Sequence, residues 1–410
     1  MERNIPARWL FPGDGPPREN VTLVIADGLV QAIEGASESN ASDLGNMAII
    51  PGLINAHTHL EFSSIDMPLQ PADDFAGWIR SIVGYRRQEL IPVRRSIQDG
   101  ANESLRAGVA WCGDITTAWS ADWLPSPGPN VVAFHEVIGI GRSRVSEAVE
   151  RARQELLPYA SDSGSVGSSG QGRQIRRAIS PHAPYSVHHE LFSELARLSG
   201  EFACPLAVHL AETEVELELL ATAGGPLRRL LEDFGVWEAD AVIPNSRPID
   251  YLRRLDTADR VLVIHGNYLD EQEITFLSHD RRFSVVYCPR THAYFGHPRH
   301  PLPRLLDAGV NVALGTDSRA SNPDLSLWGE VRLVRREFPE LSGETLLEMA
   351  TCRGAQALGL PDGVGTLRPG RPADFCVLEL PEQSSTMVTS AEDAFDLLFD
   401  PQAVFVGPVS

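Results

Sequence analysis

Ile49-Ile50-Pro51-Gly52-Leu53-Ile54-Asn55-Ala56-His57-Thr58-His59 is an apolar run that stops at two histidines one residue apart. Short, unbroken and rich in Ile and Leu, the run reads as a buried strand. Side chains two apart along a strand point to one side, so both imidazoles converge on one place. Two ligands of a single transition metal need that placement. The surface alternative, a solvated histidine pair, is about as common for an isolated motif of this kind, so the rest of the chain has to decide.

The rhythm recurs. Runs rich in Val, Ile and Ala occupy 48–54, 108–112, 130–134, 177–180, 205–208, 260–264, 283–287 and 310–314. Amphipathic stretches such as 190–198 and 271–277 separate them. Eight strand-like runs alternating with helices predict an α/β chain, and eight strands close a TIM-like (β/α)8 barrel; a doubly wound sheet is the alternative. His209, His265 and Asp317 each follow one of these runs, on the face where barrel enzymes build their sites. A lone histidine after an apolar run is ordinarily a hydrogen-bonded core residue. Four strand ends that carry only His or Asp favour a site instead.

Outside the barrel rhythm, residues 19–34 read as a hairpin about Asp27-Gly28. The turn-rich stretch 364–380 then becomes strand-like. Residues 1–50 and 361–410 are therefore expected to form one small β-sandwich domain from the two chain ends, with the barrel at 51–360. The Ser/Gly-rich stretch 161–172 reads as a surface loop.

With 43% hydrophobic and 22% charged residues the chain is an ordinary globular one. No segment approaches the ~20 apolar residues of a membrane helix, and the first residues have no signal-peptide core, so the cytoplasm is the expected location. A formal charge of −20 repels phosphate backbones and anionic lipid. The expected partner is a small-molecule substrate, not nucleic acid or membrane; a homodimer is compatible with the sequence. Cys112, Cys204, Cys288, Cys352 and Cys376 are scattered and read as thiols, not disulfides. All 35 basic residues are arginine. That excludes a Schiff-base lysine, a P-loop lysine and a metal pair bridged by a carboxylated lysine.

The motifs Pro51–Leu60, His209-Leu210-Ala211-Glu212, Ile264-His265-Gly266, Gly315-Thr316-Asp317-Ser318 and Gly365-Thr366-Leu367-Arg368-Pro369-Gly370 together resemble the amidohydrolase superfamily. Within it, they resemble the branch of cytosine, guanine and adenosine-type deaminases and triazine hydrolases. The resemblance implies that His57, His59, His209 and Asp317 hold one divalent metal. Three nitrogens and one carboxylate suit Zn2+, and imidazole serves Fe2+ as well. Such an ion lowers the pKa of water from ~15.7 toward ~7. His265 and Asp317 would bind that water, and Glu212 would protonate the ring nitrogen next to the attacked carbon. Alone, Glu212 reads equally well as a helix-start carboxylate favoured by the macrodipole.

His182 matches a substrate-contacting histidine of nucleoside deaminases, and Trp78 an aromatic lining their pocket. Relatives acting on adenosine-like compounds carry a ribose-gripping glutamate two residues before that tryptophan, where this chain has Ala76. The stretches 57–63, 265–269 and 288–292 are similar to the aminodeoxyfutalosine deaminases of menaquinone biosynthesis, whose substrate joins adenine to a benzoate. Arg290, Arg319, Arg142 and Arg144, near strand ends, are candidate partners for its carboxylate; a solvated arginine is the default for each. Glu61 is a substrate contact or a structural ion pair. His292, His297 and His300 form a His/Pro-rich loop that could cover the site, read first as loop polarity and second as ligands. Guanine, cytosine or adenosine-type deamination and triazine dechlorination use the same parts, and a non-catalytic scaffold is the remaining class. The resemblance also leads one to expect a final hairpin that is missing after Leu380.

Overall fold

The computed structural model describes residues 2–35, 46–88, 92–117, 120–162, 174–381 and 388–407. The Ser/Gly-rich stretch lies outside them from residue 163 onward. Among the described residues no helix is long and apolar enough to cross a membrane.

Among the described residues, fourteen strands form two sheets. The chain begins with β1 (Glu2–Leu10), β2 (Arg18–Ala26), β3 (Leu29–Gly35) and β4 (Met47–Pro51). The barrel strands are β5 (Leu53–Thr58), β6 (Val109–Thr116), β7 (Asn130–Val137), β8 (Ile175–Pro181), β9 (Pro205–Leu210), β10 (Arg260–His265), β11 (Phe283–Tyr287) and β12 (Asn311–Leu314). The last two strands are β13 (Phe375–Glu379) and β14 (Val404–Phe405). All eight expected runs become strands of one parallel sheet in sequential order from β5 to β12. The fold is thus a (β/α)8 TIM-like barrel with a separate sheet made by the chain ends.

Two details differ from the reading above. The run 48–54 is two strands, not one. Gly52 divides β4, which pairs antiparallel with β13 in the end sheet, from β5, which opens the barrel. The small domain is six strands in the order β14-β13-β4-β1-β2-β3. Instead of a final hairpin, the terminal segment forms the helix Ala391–Phe399 and the short β14. Ser390 caps that helix in a capping box with Asp393, and Phe395 packs on Phe11 at a ring separation of 5.0 Å.

The barrel is packed, not hollow. Inward positions alternate with outward ones along each strand. Ala207, Leu262, Ile264, Val286 and Ala313 share one buried cluster with Ile54, Trp111 and Phe134. Their neighbours Val208, Val261, Val263, Val285 and Val312 pack outward with the helices. Hydrogen bonds join the two ends of the sheet: the Thr316 and Asp317 amides donate to the His57 carbonyl at 3.0 and 3.1 Å. Thr58 and Asp317 form a parallel bridge there. Closing the barrel therefore places Asp317 beside the paired histidines.

Candidate functional site

His57 and His59 lie at the end of β5, where its register against β6 shifts between Asn55 and Thr58. His209 keeps the inward parity of Ala207 on β9. His265 does not keep the parity of its strand, because Leu262 and Ile264 already face inward and strict alternation would turn it out. Its φ of 68° breaks the alternation, and Asp317 bends likewise at φ 57°. A non-glycine residue in this left-handed region costs of order 1–3 kcal/mol and is found preferentially at functional sites.

The six side chains meet in one place. His57 Nε2 is 3.5 Å from Asp317 Oδ1, and His59 Nε2 is 3.8 Å from the same oxygen. His59 Nε2 and His209 Nε2 are 3.4 Å apart. His265 Nε2 is 3.5 Å from Glu212 Oε1. All six are buried. One ligand atom each from His57, His59 and His209 lies within 4.8 Å of the others, and the same holds for His57, His265 and Asp317.

Does this set suit a cation? His209 Nδ1 donates to the His182 carbonyl at 2.9 Å. That fixes its tautomer and leaves a lone pair on Nε2, facing His59. Both ring nitrogens of buried His57 lack a hydrogen-bond partner, which is costly unless something else satisfies them. Asp317 accepts from Ser321 Oγ through Oδ2 at 3.1 Å, leaving Oδ1 toward the imidazoles. Three imidazoles and one carboxylate, linked through His57 and by contacts of 3.4–3.8 Å, supply the donor types that one divalent ion takes.

Electrostatics agree with this division of roles. Burial lowers the pKa of His209 to about 3 and pushes that of His59 well down, so both rings stay neutral and able to ligate. Burial opposes ionisation of Asp317 too, but its contact with His57 and the neighbouring His265 and His59 rings hold it below the carboxylate range. Glu212 moves the other way. Burial, then the negative charges of Asp317 and Glu216, raise it well above an ordinary glutamate. The two carboxyls of one site are pushed apart, as acid and base roles require. Glu216 also anchors this turn, accepting the Ala211 and Glu212 amides at 2.9 and 2.8 Å.

A cavity of about 460 Å3 opens onto the cluster, within the range of small-molecule sites. His59, His209, Glu212, His265 and Asp317 line its inner end. Trp78 and His182 line its wall. Trp78 donates Nε1–H to the Ala320 carbonyl at 3.2 Å and stacks against Phe75. His182 Nδ1 pairs with Ser186 Oγ at 2.6 Å, and Nε2 lies 3.8 Å from Glu136.

Three expected substrate contacts need correction. Arg290 does not line the cavity. Its guanidinium is held by Glu330 at 2.7 Å and Asp324 at 2.8 Å, with Ser326 O accepting at 2.9 Å. Arg319 is likewise committed, to Glu103 at 3.0 Å and to the Ile65 carbonyl at 2.8 Å. Glu61 takes the structural option: Arg86 and Thr117 hold it, and Arg86, not Glu61, faces the cavity. Because Glu330 is fully buried, Arg290→Met should destabilise the fold by roughly 3 kcal/mol. Chemical denaturation would register that loss, while KM for any substrate stays at the wild-type value.

Glu136, on the cavity wall beside Arg86, escaped the sequence reading. The third run was ended at Phe134, two residues short. Extended to Val137, it would have shown a carboxylate at a strand end. Arg142 pairs with Glu190 at 3.1 Å. Arg144 lines the cavity mouth, is exposed, and has no carboxylate partner among the described residues.

A family profile described as the amidohydrolase family matches residues 48–407, and the chain belongs to that family. It is a hydrolase acting on carbon–nitrogen bonds, and members of the family bind a divalent metal. Among curated proteins it is 27% identical over 380 residues to a 5-methylthioadenosine/S-adenosylhomocysteine deaminase of Pyrococcus furiosus, covering 87% of this chain and 82% of that one. It is 28% identical over 326 residues to an aminodeoxyfutalosine deaminase of Deinococcus radiodurans, covering 78% and 75%. Among solved structures, the aminofutalosine deaminase of Helicobacter pylori, in complex with methylthio-coformycin, superposes with a TM-score of 0.80 at 21% identity, covering 100% and 97%. An atrazine chlorohydrolase of Arthrobacter aurescens, complexed with zinc and atraton, superposes with a TM-score of 0.74 at 21% identity, covering 98% and 92%.

Proposed function

We propose that the chain hydrolytically removes the amino group of an adenine-containing small molecule and releases ammonia. The observation that carries this reading is Glu212 poised 3.5 Å from His265 at the edge of the His/Asp cluster, inside a single cavity. Both curated relatives above are deaminases by name, which supports the same class.

His57, His59, His209 and Asp317 would hold one divalent ion, for which zinc is the proposed identity. Bound there, it would act as a Lewis acid and make hydroxide available from water near neutral pH. The protein's own groups do the rest. Glu212 gives its proton to the ring nitrogen beside the amino-bearing carbon as water oxygen bonds to that carbon. His265, which shares the water with Asp317, takes the one proton that the water loses as it attacks. That proton then passes to the amino group, the carbon–nitrogen bond breaks with its electron pair on nitrogen, ammonia leaves, and the hydroxyl proton on the carbon returns to Glu212 as the ring carbonyl forms. Trp78 and Phe75 offer flat aromatic surface along the wall, and His182 a polar edge.

A stretch of apolar wall in the cavity selects among adenine compounds. Leu227, Leu230, Leu231, Phe234, Val236 and Ile138 line it, and the last two of these apolar residues are 44% and 48% exposed. Bare adenosine would leave that surface wet, and with Ala76 the glutamate expected to grip its ribose is missing. A substrate with an apolar extension ending in a carboxylate near Arg144 matches the lining better, and 6-amino-6-deoxyfutalosine is such a molecule. The enzyme should therefore turn over an adenine nucleoside bearing an aryl carboxylate at least tenfold more efficiently than adenosine, 5-methylthioadenosine or S-adenosylhomocysteine. Loss of ultraviolet absorbance and ammonia release both report it. Arg144→Ala should raise KM about tenfold for the carboxylate substrate only, about 1.4 kcal/mol of binding. Halide release from a chlorotriazine without ammonia from any adenine compound would replace this reading with the dechlorinating one.

A further inference from the structure

His300 lies on the loop that follows the helix Pro289–Tyr294, far in sequence from the strand ends. It is buried, with 2% of its surface exposed. Its ring stacks on Tyr287 of β11 at a centroid distance of 3.9 Å and an interplanar angle of 22°. Its Nε2 lies 3.0 Å from the carbonyl oxygen of His265. A carbonyl can only accept, so the proton of this ring is on Nε2, and burial keeps the ring neutral.

The carbonyl it binds belongs to a site residue held in the left-handed region. His265, at φ 68°, is followed by Gly266 at φ 61°. An isolated histidine in that conformation would relax toward the extended region and carry its imidazole outward with the strand parity. Two other site residues are held in the same way. Thr58 Oγ1 donates to the carbonyl of Asp317 at 3.0 Å, and Asn267 Nδ2 donates to the carbonyl of Glu212 at 2.9 Å. Each of these donors lies within a few residues of a strand end. His300 does not, and a buried imidazole is a large group to spend on one loop contact.

We propose that His300 is a positioning residue, whose hydrogen bond to the His265 carbonyl holds that histidine in its inward, left-handed conformation. The proposal rests on His265 acting at the site as described above. It assigns a function to a histidine that neither contacts the cavity nor belongs to the His/Asp cluster.

His300→Phe keeps the stacking on Tyr287 and deletes the donor; His300→Gln restores an N–H of similar reach. In metal-loaded protein, His300→Phe should lower kcat at least tenfold with KM and metal content within twofold of wild type, and His300→Gln should recover most of the loss. A crystal structure of the Phe variant should show His265 out of the positive-φ region, a readout that does not depend on which substrate is correct. If wild type deaminates no adenine compound but the backbone of His265 still shifts in the variant, the functional reading fails and the positioning role stands. If His265 keeps its conformation and kcat is unchanged in a folded Phe variant, the positioning role is overturned. Should the Phe variant not fold, His300→Gln with wild-type structure against His300→Asn, whose shorter amide falls short of the carbonyl, makes the same comparison.

Discussion

Glu212→Gln should lower kcat by roughly 10²–10⁴-fold, the usual share of general acid–base help, while the metal content of the protein stays at the wild-type level. The amide matches the carboxyl in size and can still accept from neighbours, so packing at the turn is preserved. It cannot give and take back a proton. Glu212 is not among the residues placed to bind the ion, and its backbone is fixed independently by Glu216 and Asn267. The substitution therefore separates chemistry from ion binding. Because burial raises the Glu212 pKa, the wild-type group carries its proton nearer to neutral pH than a free glutamate would. KM should move little, since the proton is needed in the transition state and not for holding the ring. Steady-state kinetics beside elemental analysis of the same sample check both halves. Wild-type turnover in Glu212→Gln would remove the acid–base role.

Stripping the ion should have the larger effect, abolishing turnover and lowering the melting temperature together. Without a cation the site keeps three imidazoles and a carboxylate within a few ångströms, 3.4–3.8 Å between the closest atoms. It also keeps buried His57 nitrogens with no hydrogen-bond partner. Binding that satisfies such groups only in the folded state adds its free energy to folding. Chelated protein should therefore melt several degrees lower than untreated protein. One equivalent of zinc should restore both stability and activity, and a second equivalent should add nothing. The single-ion expectation agrees with a sequence that contains no lysine to bridge two. Differential scanning calorimetry through a zinc titration measures this directly.

The barrel was legible because its strands are buried on both faces and so read as unbroken apolar runs, against which an ionisable residue at the end stands out. Hence His57, His59, His209, His265 and Asp317 could be named from sequence alone. The conformation that brings His265 inward could not be, since periodicity carries no sign of a positive φ and the parity of Leu262 and Ile264 argued the other way. The arginines failed for a different reason. Arg290 and Arg319 stand at strand ends, but their directions are set by Glu330, 40 residues away, and Glu103, 216 residues away. Pairing over such separations leaves no local mark. β1 went unread because Pro6 and three charged residues interrupt it and none of its first five residues is buried. The terminal helix Ala391–Phe399 carries a local signal in its Ser390 and Asp393 cap, but the stretch after Leu380 shows no hairpin pattern and no element is read there.

The central claim is that four side chains from three separated stretches grip one ion. Inductively coupled plasma mass spectrometry on purified wild type and on His57→Ala and Asp317→Ala tests it most directly. The account predicts close to one equivalent of a divalent metal per chain in wild type and well under a fifth of that in each variant, with the variants still folded by circular dichroism. Two equivalents in wild type, or full metal retention when either ligand is removed, would contradict it.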